Sequence, residues 1–122
     1  MAGGADTPER LRYAGRMIPE IQVDEAERRL EAGAALLDVR QPDEYAAGRV
    51  AGGQLIPLHE LPSRLPDVPV AEEVLVICRS GARSAKAVEW LIEHGVPAVN
   101  IAGGTNAWAA SGRPVTSGPG TG

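Results

Sequence analysis

Hydrophobic residues along this chain switch repeatedly between two spacings. Val74-Leu75-Val76-Ile77 is a run of four apolar residues, the pattern of a strand covered on both faces, and after it Ala85, Val88, Leu91 and Ile92 fall at helical spacing. Residues 34–39 and 98–101 read as further compact apolar strands, 18–23 as a short edge strand, and Leu55-Ile56 as another after a tight turn at Gly52-Gly53. Helices are expected between them. Asp24 is expected to cap the first, with Glu27 completing a capping box and Gly33 stopping it; Pro42 opens a second that runs through Ala47 to Gly48. A helical turn over 58–65, bounded by Pro62 and Pro66, precedes a linker over 66–73. The third helix spans about Arg83 to His94 and stops at Gly95; a last one starts at Gly103-Gly104, runs through Trp108 and Ala109, and ends by Gly112 and Pro114. Strands alternating with helices predict an α/β fold with a central parallel sheet and right-handed crossovers. The domain is expected over 18–115. A flexible N-terminal segment (1–17, with a short helix over 8–13) and a flexible C-terminal tail (116–122) flank it.

Composition narrows what such a domain does. With 122 residues there is room for one domain and one site, and with 3% aromatics and no Phe the core must be built from Val, Leu, Ile and Ala. A formal net charge of −4 argues against a general binder of nucleic acid or anionic membrane, which makes a local basic pocket more informative. The single Cys excludes an internal disulfide, and Cys and His together offer no zinc set, so neither a metal nor a cofactor is expected. The N-terminus has no basic start and no apolar run, and no stretch approaches the length of a membrane span; a reducing, cytoplasmic location is expected.

The chemistry collects where the apolar run meets the helix. Cys78 follows Ile77 directly, and the turn Cys78-Arg79-Ser80-Gly81-Ala82-Arg83-Ser84 leads into the helix. Such a turn points several backbone N–H groups into one concavity, and the helix N-terminus adds the positive end of its dipole. Arg79 and Arg83 add two charges, and all three sources favour a thiolate over a thiol and attract an anionic substrate. A lone Cys at a strand end is by default a small core residue, and the arginines by default a basic helix start. The arginines work against that default, because at a helix N-terminus they oppose the dipole unless an anion compensates them.

The loop resembles the active-site loop of single-domain rhodaneses, a sulfurtransferase family. Leu37-Asp38-Val39-Arg40, Asp43-Glu44-Tyr45, Gly52 with Ile56-Pro57, and Gly103-Gly104-Thr105-Asn106-Ala107-Trp108 are similar to that family in order and spacing, over about residues 20 to 115. One departure is Arg49-Val50, where the family often has His-Ile; it bears on local packing or partner choice more than on the chemistry. The resemblance implies a rhodanese-like three-layer domain with helices on both faces of the sheet. It also implies Cys78 as nucleophile and Arg79, Ser80, Gly81, Ala82, Arg83 and Ser84 as the substrate-binding loop. The related phosphatase loop places five residues between Cys and Arg; here Arg83 is itself the fifth residue after Cys78, too short a cradle for phosphate.

A sulfurtransferase of this kind works in two half-reactions. The Cys78 thiolate takes the outer sulfur of a small anionic donor such as thiosulfate, sulfite leaves, and the persulfide passes its sulfur to cyanide or a thiol. Because two guanidinium groups flank the loop, the resemblance favours thiosulfate over 3-mercaptopyruvate as donor. One alternative is a carrier that receives sulfur from a relay protein, with docking at an exposed surface around Arg49; another is a rhodanese-like binding domain without catalysis. Asp38 and Arg40 sit at a strand's C-terminal end, where open α/β sheets place ligands. They are expected either behind the loop in a supporting role or as a structural pair with Glu44. His59 and His94 receive no role, and Trp90 and Trp108 are expected to pack in the core.

Overall fold

The apolar run at 74–77 is buried on both faces, and the sheet is laid out around it. In the computed structural model, which describes residues 9–119, the strands are β1 (Glu9–Tyr13), β2 (Arg16–Ile21), β3 (Ala35–Asp38), β4 (Gln54–Leu55), β5 (Val74–Ile77) and β6 (Ala98–Ile101). The α-helices are α1 (Val23–Glu31), α2 (Pro42–Ala47), α3 (Ala82–Glu93) and α4 (Gly104–Ala110), with two 3-10 turns at Leu58–Ser63 and Leu65–Asp67. The six strands lie in the order β1-β2-β6-β5-β3-β4. Strand β5 pairs in parallel with both β3 and β6, aligning Leu37 and Asn100 with Val76.

The period-2 geometry of β5 divides its side chains between two cores. Val74 and Val76 face α3, where Ala85, Ala87, Val88 and Leu91 cover them together with Leu61. Leu75 and Ile77 face the other side, under Ala26 of α1 and Trp108 of α4. Both faces are therefore apolar, which is why β5 shows a continuous run rather than an alternation. Each fully buried Val, Leu or Ile here contributes about 1.5–3 kcal/mol.

The structure departs from several expectations. The segment expected as a short helix over 8–13 is a strand from Glu9, while Pro8 and the residues before it lie outside the described residues. It forms a hairpin with β2 through Ala14 and Gly15, both at positive φ (51° and 81°), the turn geometry that matches strand twist. Leu11 and Tyr13 pack against the α3 side of the core, and Arg16 ion-pairs with Glu89 and Glu93 of α3, so the hairpin has both apolar and charged anchors. The central sheet, β2 to β4, is parallel as expected; the antiparallel β1 is added outside it, so β2 is not an edge strand.

The first helix is capped by Gln22 rather than Asp24. Asp24 and Glu27 instead hold the Arg113 guanidinium at 2.9 and 3.0 Å, a long-range charged partner the local capping pattern does not reveal. The segment expected to be a free tail from 116 is tied down as far as it is described. Thr116 and Arg49 exchange both backbone hydrogen bonds at 2.8 Å, and the Gly118 N–H donates to the Ala46 carbonyl at 2.7 Å. Arg49 is buried at 3% exposure, so it presents no docking surface. Its guanidinium donates to the carbonyls of Tyr45 and Gly118 and lies over the Tyr45 ring, a set of partners that a neutral packing residue lacks.

Candidate functional site

Cys78 ends β5 and the next three residues turn the chain into α3. Gly81 carries the turn at φ +106°, a conformation that side chains disfavour, and serves as the cap residue of α3. The loop folds back on the sulfur. The Gly81 N–H donates to Cys78 Sγ at 3.0 Å, and Ser84 Oγ stands 3.3 Å from it. Ser84 Oγ is also 3.2 Å from the Gly81 carbonyl oxygen, so its one proton serves either acceptor, not both. Among the described residues these two groups supply the polar contacts to Sγ, fewer than a full ring of loop N–H groups.

The thiol is enclosed rather than open to solvent. Cys78 is 1% exposed, counted with the α3-side core, while Arg79 and Ser80 beside it are exposed. A second helix fixes the loop from the other side. The first residues of α4 hold the loop backbone: Thr105 N–H and Oγ1 donate to the Cys78 carbonyl at 2.8 and 3.0 Å, and the Asn106 N–H donates to the Arg79 carbonyl at 3.0 Å. Gly104 makes this approach possible. A Cβ there would lie 2.4 Å from the Cys78 carbonyl oxygen and 2.8 Å from Arg79 backbone atoms. On the other side Asn100 of β6, fully buried, donates to the Gly81 carbonyl at 3.4 Å and to Glu20 at 2.9 Å.

Arg83 does not point its charge freely into the loop. Both its terminal nitrogens donate to the Glu44 carboxylate at 2.7 Å, a bidentate pair between α3 and α2. The Arg83 guanidinium, reinforced by the Gln41 N–H that donates to Glu44 Oε1 at 3.0 Å, holds the Glu44 carboxyl down at about 2. The same pair raises the Arg83 pKa above its ordinary value. Arg79 is different: among the described residues its side chain has no ion-pair partner.

Asp38 and Arg40 form a buried ion pair, at 1% and 4% exposure, with Arg40 Nε and Nη2 donating to the two carboxylate oxygens at 2.9 and 2.8 Å. Arg40 then reaches the carbonyls of Glu44 and Gly48 at 3.3 and 2.9 Å, so the pair fastens α2, the helix that carries Glu44. Neither side chain hydrogen-bonds to the Cys78 loop. His59 lies beside Gln41 and Glu60, and His94 stacks on Trp90 with ring centroids 4.0 Å apart; among the described residues neither hydrogen-bonds to the loop. Trp108 is buried on the α1 side with its indole N–H on the Pro114 carbonyl at 3.0 Å, and Trp90 packs partly buried on the other side. Among the described residues no three His, Cys, Asp or Glu side chains gather as a metal-ligand set, and no helix is long and apolar enough to cross a membrane. Sequence reasoning assigned Asn100, Thr105 and Asn106 no place at the cysteine loop and placed Glu44 only with Asp38 and Arg40. The motifs Asp43-Glu44-Tyr45 and Gly103-Gly104-Thr105-Asn106 were the available signal.

Residues 22–111 match the family model described as Rhodanese-like domain. The chain is 36% identical over 104 residues to a sulfurtransferase of Allochromatium vinosum, covering 83% of this chain and 97% of that one. It is 32% identical over 94 residues to a putative sulfur carrier protein of Bacillus subtilis, covering 75% of this chain and 51% of that one. A rhodanese-related protein of Thermoplasma volcanium superposes with a TM-score of 0.75 at 34% identity, over 80% of this chain and 96% of that one.

Proposed function

The chain belongs to the rhodanese-like domain family, and from that membership we propose that it transfers a sulfane sulfur from a small anionic donor, thiosulfate or a close relative, through a persulfide on Cys78. The observation that carries this reading is the enclosure of Cys78 Sγ by the Gly81 N–H at 3.0 Å and the Ser84 hydroxyl at 3.3 Å.

In the first half-reaction the Cys78 thiolate attacks the outer sulfur of thiosulfate. The S–S bond of the donor breaks and its electron pair leaves with sulfite. Arg79, whose charge is not compensated, draws the dianion to the loop; Arg83 supports the loop through Glu44 rather than supplying a second free charge. In the second half-reaction a cyanide or thiolate attacks the terminal persulfide sulfur, and Cys78 leaves as thiolate. The Gly81 N–H and Ser84 hydroxyl are placed to steady the sulfur as charge returns to it. With Cys78 at 1% exposure, the loop must shift for substrates to reach the sulfur, and its residues Arg79 and Ser80 are exposed. Asp38 and Arg40 act at one remove, by fixing α2. No metal or cofactor enters the scheme, and the cytoplasm suits a reduced thiol.

The test is the intact mass after incubation with thiosulfate, before and after cyanide, with Cys78→Ser alongside. A gain of about 32 Da, one sulfur atom, that cyanide removes and the variant lacks is expected. No gain would sink the thiosulfate step. A second reading, a carrier loaded by a relay protein, is supported by the Bacillus subtilis relative whose name is sulfur carrier. It requires that a protein persulfide load Cys78 where thiosulfate does not.

A further inference from the structure

Between the 3-10 turn at Leu58–Ser63 and the exposed flank of α3 lies a groove of about 350 Å³. Leu58, Leu61 and Pro62 form one wall, and Arg83, Lys86 and Trp90 the other. The last three recur at i, i+3 and i+7, one stripe of α3, so the groove runs along the helix from its N-terminus. Arg83 belongs to both places: it is part of the Cys78 loop and it lines the head of the groove. Gln41 closes that same end, with its Nε2 3.5 Å from His59 Nδ1.

The charges along the groove are unequal. Arg83 is answered by Glu44 with two bonds of 2.7 Å, and the neighbouring Glu60 is taken by Arg64 at 3.1 Å. Lys86 is exposed and, among the described residues, has no ion-pair partner. The groove thus offers an apolar bed that includes Trp90 and one uncompensated cation. Its volume is that of a small-molecule site.

We propose that this groove binds the sulfur acceptor, and that the acceptor it takes is a small organic thiol with an apolar body and a carboxylate. The inference rests on the sulfurtransferase reading above and specifies its second substrate. The apolar body lies along Leu58, Leu61 and Trp90, the carboxylate meets Lys86, and the thiol points past Arg83 to the loop. Its thiolate attacks the outer sulfur of the Cys78 persulfide. A new S–S bond forms, the Cys78 S–S bond breaks, and its electron pair returns to Cys78 as thiolate, with no net oxidation.

Three thiols separate the contributions: 2-mercapto-3-phenylpropanoate with both features, mercaptoacetate with the carboxylate alone, and 2-phenylethanethiol with the apolar body alone. The persulfidated protein, freed of donor, is mixed with each, and the rate of persulfide loss is compared with that to cyanide. The phenyl-bearing carboxylate is expected to outrun mercaptoacetate about tenfold, the discrimination an apolar pocket supplies. Relative to cyanide, Lys86→Glu should lower its rate roughly threefold or more and leave the ratio for 2-phenylethanethiol in place. Independently, 3-phenylpropanoate, which cannot react, should shift the Trp90 indole resonance saturably while that of Trp108, on the opposite face, stays fixed. Equal rates for the two carboxylate thiols, or no saturable shift at Trp90, would overturn the inference while leaving the persulfide mechanism intact. Failure to form a persulfide with any donor would remove the sulfurtransferase reading instead, and the 3-phenylpropanoate titration would still decide whether the groove binds.

Discussion

Arg83 of the cysteine loop is held end-on by Glu44 of α2, two nitrogens on two oxygens at 2.7 Å. The pair ties the beginning of α3 to a helix that is itself fixed by the buried Asp38–Arg40 pair. It also consumes the positive charge that would otherwise face an incoming anion. Glu44→Gln keeps a hydrogen-bond acceptor for Arg83 and for the Gln41 N–H but removes the negative charge. The expected result is a KM for thiosulfate lower by roughly threefold with little gain in kcat, and a steeper dependence of KM on ionic strength. Steady-state kinetics at two salt concentrations check this; an unchanged KM would mean that Arg83 has no electrostatic part in donor capture.

The same pair predicts an acid-side change in stability. The Glu44 carboxyl is lowered from 4.5 to about 2, first by its hydrogen bonds from Arg83, so folding favours its charged form. The stabilisation is complete above the unfolded value and is lost as pH falls from about 4.5 through about 2. Across that window the melting temperature of the natural protein should fall more steeply than that of Glu44→Gln. Parallel curves would show that the pair contributes nothing to the pH dependence.

Ser84 is fully buried, with one proton shared between Cys78 Sγ and the Gly81 carbonyl. Ser84→Ala removes a donor from the sulfur and leaves the backbone donor of Gly81 in place. Sulfur transfer should slow about tenfold, less than for a full oxyanion-site deletion because the contact is long, and stability should fall by about 1 kcal/mol. Single-turnover loss of persulfide and chemical denaturation separate the two effects.

Gly104 and Gly112 form a matched pair of tests. Both have positive φ, +57° and +87°, but a Cβ at Gly104 would strike the Cys78 carbonyl at 2.4 Å, whereas at Gly112 it meets nothing within 4 Å. Gly112→Ala should cost about 1 kcal/mol for the backbone alone. Gly104→Ala adds a clash that only movement of the loop relieves, so it should cost about 1–3 kcal/mol more and displace the loop that holds the sulfur. Melting curves and activity per folded molecule test the comparison; equal losses would mean that α4 does not fix the loop.

Sequence reading succeeds here where one local pattern has one physical cause. The run at 74–77 is apolar because both faces are covered, and the switch to helical spacing at Ala85 and Val88 marks the turn that carries the cysteine. It fails where the partner is distant in sequence. Asp24 and Glu27 look like a capping box and are drawn instead to Arg113, 86 or more residues away. Glu44 looks like part of a local loop clamp, and its carboxylate goes to Arg83, 39 residues on. At the N-terminus, Arg10-Leu11-Arg12-Tyr13 carries a strand alternation, but its length and the Ala14-Gly15 turn are too brief a signal against a Gly-rich, charged surround. Burial of Arg49 was likewise illegible, since it depends on carbonyls from Tyr45 and from Gly118 across the chain.

The amino-terminal hairpin has a bearing on how copies of this protein behave in concentrated solution. Because β1 closes one side of the sheet, the outermost strand there presents exposed Arg10 and Arg12 between inward-packed Leu11 and Tyr13, and the strand closing the other side, β4, has only two residues. A charged margin and a very short one are both poor templates for an added strand. The continuous apolar run of β5 is thereby kept three strands from one margin and two from the other, out of reach of edge-to-edge growth.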